Sequence, residues 1–189
     1  HEALAEGLIV PAGKMYRFTH DRIQQAVYSL IADKDRNHAH LTIGRLLLAN
    51  IPEDKREAHL FDIVNQWNWG KDIITDAGEK ELLAGLNLEA GRKAKQSSAF
   101  KAALEYFETG IALLKDDPWN VQYELCRNLH TEATEAAYLN GDFATMDKYY
   151  PIVLKNTRNL LEKVKPYEIR ILAYKAENKL LDAIKTGLE

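Results

Sequence analysis

Apolar residues recur along this chain at helical rather than strand spacing. Ile23, Ala26, Val27, Leu30 and Ile31 fall at i, i+3, i+4, i+7 and i+8, one stripe of an amphipathic helix with Thr19 as its candidate N-cap. A second helix is predicted over 36–48, carrying IGRLLL and stopped by Asn50-Ile51-Pro52, because proline pushes the residue before it out of helical geometry. A third, over 55–69, ends at Gly70, a residue type suited to a helix C-cap. Only residues 7–10 and 15–19 have strand character, being short, β-branched and aromatic, and the intervening Pro11-Ala12-Gly13-Lys14 supplies turn chemistry. A small hairpin is predicted there.

From residue 79 the pattern becomes repetitive. Helices over 79–95 and 99–115 form one pair, and Phe100, Ala103, Leu104, Phe107, Ile111 and Leu114 line the second member. Helices over 120–139 and 143–164 form another, joined at Asn140-Gly141-Asp142, where Asn and Gly tolerate left-handed backbone. Phe143, Met146, Tyr150, Val153, Leu154, Thr157, Leu161 and Val164 make its apolar stripe, with Pro151 expected to kink it. A last helix is predicted from near Pro166 to Gly187. Phe100 and Phe143, 43 residues apart, each open a second helix (FKAALEYF against FATMDKYY), and a period near that length belongs to helical solenoids. Ala90, Gly91, Ala94 and Ala103 are small enough for close helix approach. A closed helical bundle would show the same stripes, so periodicity alone leaves that alternative open.

Composition narrows the class. Ten Gly and five Pro in 189 residues leave room for long helices and little for a many-turned β fold. The net charge of −3, from 25 basic and 28 acidic residues well interspersed, offers no basic stripe for nucleic acid. Cys126 stands alone, which excludes an internal disulfide or a cysteine zinc site and fits a reducing compartment. No apolar run of about 18 residues is present for a membrane span. The opening HEALAEGLIVP lacks the basic region of a signal peptide and reads as a chain entered in mid-domain, so a cytoplasmic location is expected.

Candidate chemistry is sparse. Between Gly7 and Gly13-Lys14 five residues intervene where a phosphate loop has four, and Met15 stands where the magnesium-binding hydroxyl belongs. His38 and His40 point about 200° apart on a helix, and His1-Glu2 lacks a second His at zincin spacing, so no metal is expected. Cys126 shares a helical face with Leu129 and Ala133 and reads as a small hydrophobe. Trp67, Trp69 and Trp119 read as packing anchors, and Glu105, Glu108 and Asp147 as solvated faces. No catalytic residue is assigned.

One stretch carries a more specific signal. Residues 16–48 read YRFTHDRIQQAVYSLIADKDRNHAHLTIGRLLL. This resembles the end of the nucleotide-switch module in signal-transduction ATPases with numerous domains, where an aromatic-x-His-Asp element opens a helix of a winged-helix subdomain and an Arg and a His follow downstream. Phe18, His20, Asp21, Ala26 and Tyr28 match that element, then Arg36 and His40. FDIVNQWNWG, LAGLNLEAGRKAKQSSAFKAALEYFETGIALL and the AAYLNGDF turn look like the helical region next in line in large multi-sensor serine/threonine and histidine kinases. The resemblance implies that His20 contacts the β-phosphate of ADP in the full-length parent, with ATP or ADP as the parent's cofactor and none for this segment alone.

The expected fold is therefore all-α: a winged-helix remnant with a β-hairpin over 1–50, a linking helix over 51–78, and tetratricopeptide-like antiparallel helix pairs over 79–189. The leading functional reading is a non-catalytic regulatory and protein-interaction module that couples a helical sensor arm to a nucleotide switch. Its partners would be proteins, peptides, the parent's own ATPase and kinase domains, or a second copy. The rival is a free-standing tetratricopeptide-like adaptor, and a helical-bundle enzyme is the third class.

Overall fold

The computed structural model describes residues 2–12 and 15–188. In chain order it contains α1 (Glu2–Ala5), β1 (Ile9–Ala12), β2 (Met15–Phe18), α2 (Asp21–Ser29), α3 (Asp33–Asn50), α4 (Glu53–Arg56), α5 (Leu60–Trp69), a 3-10 turn (Lys71–Ile73), α6 (Ala77–Gln96), α7 (Phe100–Ala112), α8 (Pro118–Val121), α9 (Tyr123–Leu139), α10 (Phe143–Asn156), α11 (Leu160–Ala176) and α12 (Leu180–Gly187). The fold is mainly helical with one small hairpin.

The hairpin pairs Ile9 with Phe18 and Ala12 with Met15, antiparallel. Pro11, expected in the turn, lies in β1 opposite Tyr16. A two-stranded ribbon tolerates it because each strand has a free edge. The other two residues of the expected turn, Gly13 and Lys14, fall outside the described residues, as does His1. Thr19 is not the N-cap of α2. Its hydroxyl bonds the carbonyls of Gly7 at 2.9 Å and Leu8 at 3.1 Å, closing the base of the hairpin, and His20 takes the cap position in extended geometry without a side-chain cap bond. The helix ends at Ser29, so Leu30 drops out of the predicted stripe and is 83% exposed.

The helix predicted over 55–69 divides into α4 and α5, with residues 57–59 between them. Gly70 does follow the second, but its φ of −100° and ψ of 4° are not left-handed. Its need for glycine comes from packing: a Cβ there would stand 2.7 Å from the Leu41 Cβ and 2.8 Å from the Asn37 carbonyl oxygen. α3 thus lies almost in backbone contact with the end of α5. On its other side α5 meets α6 through a reciprocal amide pair. Asn68 Nδ2 donates to Asn87 Oδ1 at 2.8 Å, and Asn87 Nδ2 donates back at 2.9 Å. Asn87 is fully buried, and this pairing offsets its desolvation.

Helix starts are set by short polar side chains. Asp76 accepts from the Glu79 amide, Asp142 from Thr145 and Asn159 from Glu162, each satisfying an otherwise orphaned donor. The Asn159 cap corrects the expected helix over 143–164. α10 stops at Asn156, Thr157 is extended, and Leu161 and Val164 belong to the exposed side of α11. Within α10 the buried row is Met146, Tyr149 and Val153 rather than one through Tyr150, and Pro151 is accommodated on the exposed side. Pro166 lies inside α11, where it is buried, instead of opening it, and a turn at 177–179 separates α12.

Helices α6 with α7, α9 with α10 and α11 with α12 form pairs that share one turn geometry. Ser98, Gly141 and Asn178 occupy the left-handed region at φ 60°, 73° and 60°. The amides just beyond them, on Ala99, Asp142 and Lys179, donate to the carbonyls of Ala94, Ala137 and Tyr174, the six-to-one bond that closes a helix C-terminus. Two residues past each left-handed position stands Phe100, Phe143 or Leu180, opening the next helix. Successive pairs stack through a single apolar core running from Leu41 and Ile63 through Leu83, Phe107, Leu129 and Met146 to Ile169 and Ala173. Glu105 and Asp147 are exposed as expected, though Asp147 also pairs with Arg170, while Glu108 is half-buried and accepts from Tyr149 at 2.9 Å.

Candidate functional site

Two features stand out where the hairpin end of the chain meets the helix pairs. The first is a node around His40. Tyr28, at the end of α2, meets His40 of α3 with its hydroxyl 3.0 Å from Nε2. The other ring nitrogen, Nδ1, lies 2.7 Å from the Gln66 side-chain carbonyl of α5, which can only accept, so Nδ1 donates to it. The Trp69 ring stacks on His40 with centroids 5.7 Å apart, and the Arg36 guanidinium lies 5.2 Å from the centre of the Tyr28 ring. One imidazole thereby connects α2, α3 and α5.

The second feature is a trough of about 940 Å³ between α3–α4 on one side and α6 on the other. Its floor is α5, which presents Leu60, Ile63 and Trp67 at i, i+3 and i+7. Leu48 and Ala49 form one wall, and Leu82 and Leu86 the other, with Leu82 48% exposed. At one end Arg45 of α3 grips Glu79 of α6 through two 2.7 Å bonds, and the buried Trp67 indole donates to the same carboxylate at 3.1 Å. The hydrogen bond from Arg45 is the main reason that the Glu79 carboxyl sits below the usual carboxylate range; burial opposes it and Trp67 reinforces it. The Arg45 guanidinium is correspondingly raised.

Of the residues singled out from sequence, His20 and Asp21 stand at the start of α2, while Tyr28, Arg36 and His40 come together at the far end of that helix. The two groups are not brought into one cluster. His38 is exposed on the other side of α3 from the node. Trp67 is an anchor in the core, Trp119 packs against Tyr123 and His130, and Trp69 is 66% exposed yet stacks on His40. Cys126 is buried, and burial pushes its thiol up to about 12, the state of a small hydrophobe rather than a nucleophile. Among the described residues no three His, Cys, Asp or Glu side chains gather in a way that could hold a metal ion, and no helix is long and apolar enough to cross a membrane. Sequence reading missed Gln66 and Glu79. Asp76-Ala77-Gly78-Glu79 has the spacing of a helix-capping box, which would have moved the start of the helix expected over 79–95 back to a cap at Asp76.

Over 198 aligned residues the chain is 29% identical to the hybrid signal transduction histidine kinase G of Dictyostelium discoideum. This supports a signal-transduction kinase context. The alignment covers 92% of this chain but 6% of that protein, so the chain corresponds to a small part of its relative. No family model matches the chain, and no solved structure matches it.

Proposed function

We propose that this chain is a non-catalytic regulatory and protein-interaction module of a multidomain signal-transduction kinase, coupling a helical arm to a nucleotide switch. The observation that carries the reading is the His40 node. Residues 16–48, which resemble the end of the switch, reach α5 through Tyr28, His40 and Gln66, and α5 in turn packs on the first helix pair. A displacement of α2 therefore changes contacts that α5 makes with the arm. Coupling of this kind needs an element whose arrangement both ends can bias, and a single shared imidazole is such an element. Residues 1–50 serve as the winged-helix end, 51–78 as the link and 79–189 as a tetratricopeptide-like arm in this reading.

His20 is the proposed contact to nucleotide. It caps α2 in extended geometry with its side chain free of any cap bond, at a helix end where partial positive charge favours an anion. These residues fit one contact to a phosphate oxygen and not a nucleotide site by themselves. The rest of that site, ATP or ADP with its phosphate loop, belongs to the parent kinase. The proposed partners of the arm are the parent's own ATPase and kinase domains or another protein.

The test uses the full-length kinase carrying His20→Ala or His40→Ala. The expected result is weaker ADP retention and raised basal phosphorylation for His20→Ala, and for His40→Ala an altered output with nucleotide retention intact. Unchanged retention and output in both variants would overturn the proposal.

A further inference from the structure

The trough beside α5 has three helical walls and an open fourth side. α6 lines it with Leu82, Leu86, Glu89 and Lys93, at i, i+4, i+7 and i+11, one continuous helical row. α5 supplies the apolar floor, and α3–α4 close the opposite side. A helix laid along this channel would complete a four-helix arrangement, the geometry in which an amphipathic segment buries its apolar face in a groove.

Charge selects the kind of helix. The cations that border the trough are already engaged within the chain. Arg45 is held by Glu79, and Arg92 by Glu132 of α9 at 2.7 Å. Lys93 donates to the Glu57 backbone carbonyl at 2.5 Å, and Arg56 to the Ile51 carbonyl at 3.3 Å. The anions are not. The carboxylates of Glu53 and Glu57, one helical turn apart on the α4 side, and of Glu89 on α6 are exposed, and none is ion-paired among the described residues. Lys93 and Arg56 keep their charge, but both are tied to backbone carbonyls, so an incoming acidic segment would meet three free carboxylates and two cations already hydrogen-bonded within the chain. An incoming basic one would find partners on both rims.

We propose that the trough receives a basic amphipathic helix, with apolar side chains against Leu48, Leu82 and Leu86 and lysines or arginines against Glu53, Glu57 and Glu89. This rests on the protein-interaction reading above and names the chemistry of its partner. The apolar row supplies affinity, while the rim charges set partner choice and association rate more than binding strength.

The test measures anisotropy of a labelled Leu/Lys peptide of about 18 residues, long enough to hold helical structure, against the full 189-residue chain. The comparator is the same peptide with Glu in place of every Lys. Binding of the Lys peptide, failure of the Glu peptide, and a loss of about five- to tenfold for the Lys peptide in an E53Q/E57Q/E89Q variant are expected. Leu82→Gln should weaken binding as well, and because all of these side chains are exposed, the variants should melt like the parent chain. Equal affinity for the two peptides, no binding of the Lys peptide, or full affinity in the triple variant would each overturn the proposal. The His20 and His40 tests do not involve the trough, so its failure is separable from failure of the signalling reading.

Discussion

Gly91 of α6 faces the ring of Phe107 of α7 so closely that a Cβ on it would stand 2.3 Å from Cε1 and 2.6 Å from Cδ1. Phe107 is fully buried, so its ring has no free volume into which to retreat. Gly91→Ala should lower stability by about 1–3 kcal/mol through overpacking, even though alanine favours a helix interior. Gly85, in the same helix, has nothing within 4 Å of a built Cβ. Gly85→Ala should therefore raise stability by roughly 0.5–1 kcal/mol. Urea denaturation of the two variants checks both signs, and two losses or two gains would show that the helix contact has been misread.

Ala103 has no exposed surface and sits on the same α6–α7 contact. Ala103→Trp should cost about 1–3 kcal/mol or more, against less than about 0.5 kcal/mol for Glu105→Ala on the exposed side. Because stacked helix pairs interact with their neighbours, the loss should appear first as faster hydrogen exchange in the pairs around α7, with α3 and α5 staying protected. Uniform loss of protection along the chain would instead favour one closed cooperative bundle.

Glu79 joins three helices, since Arg45 of α3 and Trp67 of α5 both donate to its carboxylate. Its pKa is lowered on folding, so the stability it contributes is present above the ordinary glutamate value of about 4.3 and lost as pH falls through the lower folded value. Glu79→Gln should cost about 1–3 kcal/mol at neutral pH, nearer the low end because Arg45 is half-exposed and screened. The same variant should flatten the acid limb of a stability-against-pH curve. An unchanged acid limb would mean that other carboxylates carry it.

His130 behaves oppositely to a paired histidine. It is buried on α9, its Nδ1 donates to the Cys126 carbonyl at 2.8 Å, and burial holds its pKa below the ordinary histidine value. The unfolded chain takes up the proton first, so the stability contributed by the neutral ring is present above about pH 6.5 and is lost as pH falls toward the folded value. Denaturation midpoints should decline from about pH 7.5 to 5, and His130→Gln should reduce that decline. A midpoint independent of pH over this range would contradict the burial of the ring.

The helical class, the hairpin, the Asn140-Gly141-Asp142 turn and the helix starts at Phe100 and Phe143 were legible because they rest on local physics. Side-chain periodicity sets which face is apolar, and positive φ is cheap for glycine and asparagine. Boundaries were less legible. The run from 143 to 164 is apolar enough to read as one helix, yet Asn159 caps a new one, and apolar periodicity does not register where a competing cap interrupts. Exposure also escaped the sequence: Leu161 and Val164 carry the same apolar signature as the buried Met146, and only the placement of the neighbouring helices separates them. The same holds for function. The His40 node and the trough join α2, α3, α5 and α6, residues up to tens of positions apart, so only tertiary packing could bring Tyr28, Gln66 and Glu79 to the places where they act. Local sequence determines which segments are helical and which face of each is apolar; burial, and the pairing of polar groups across helices, is decided by how those faces meet.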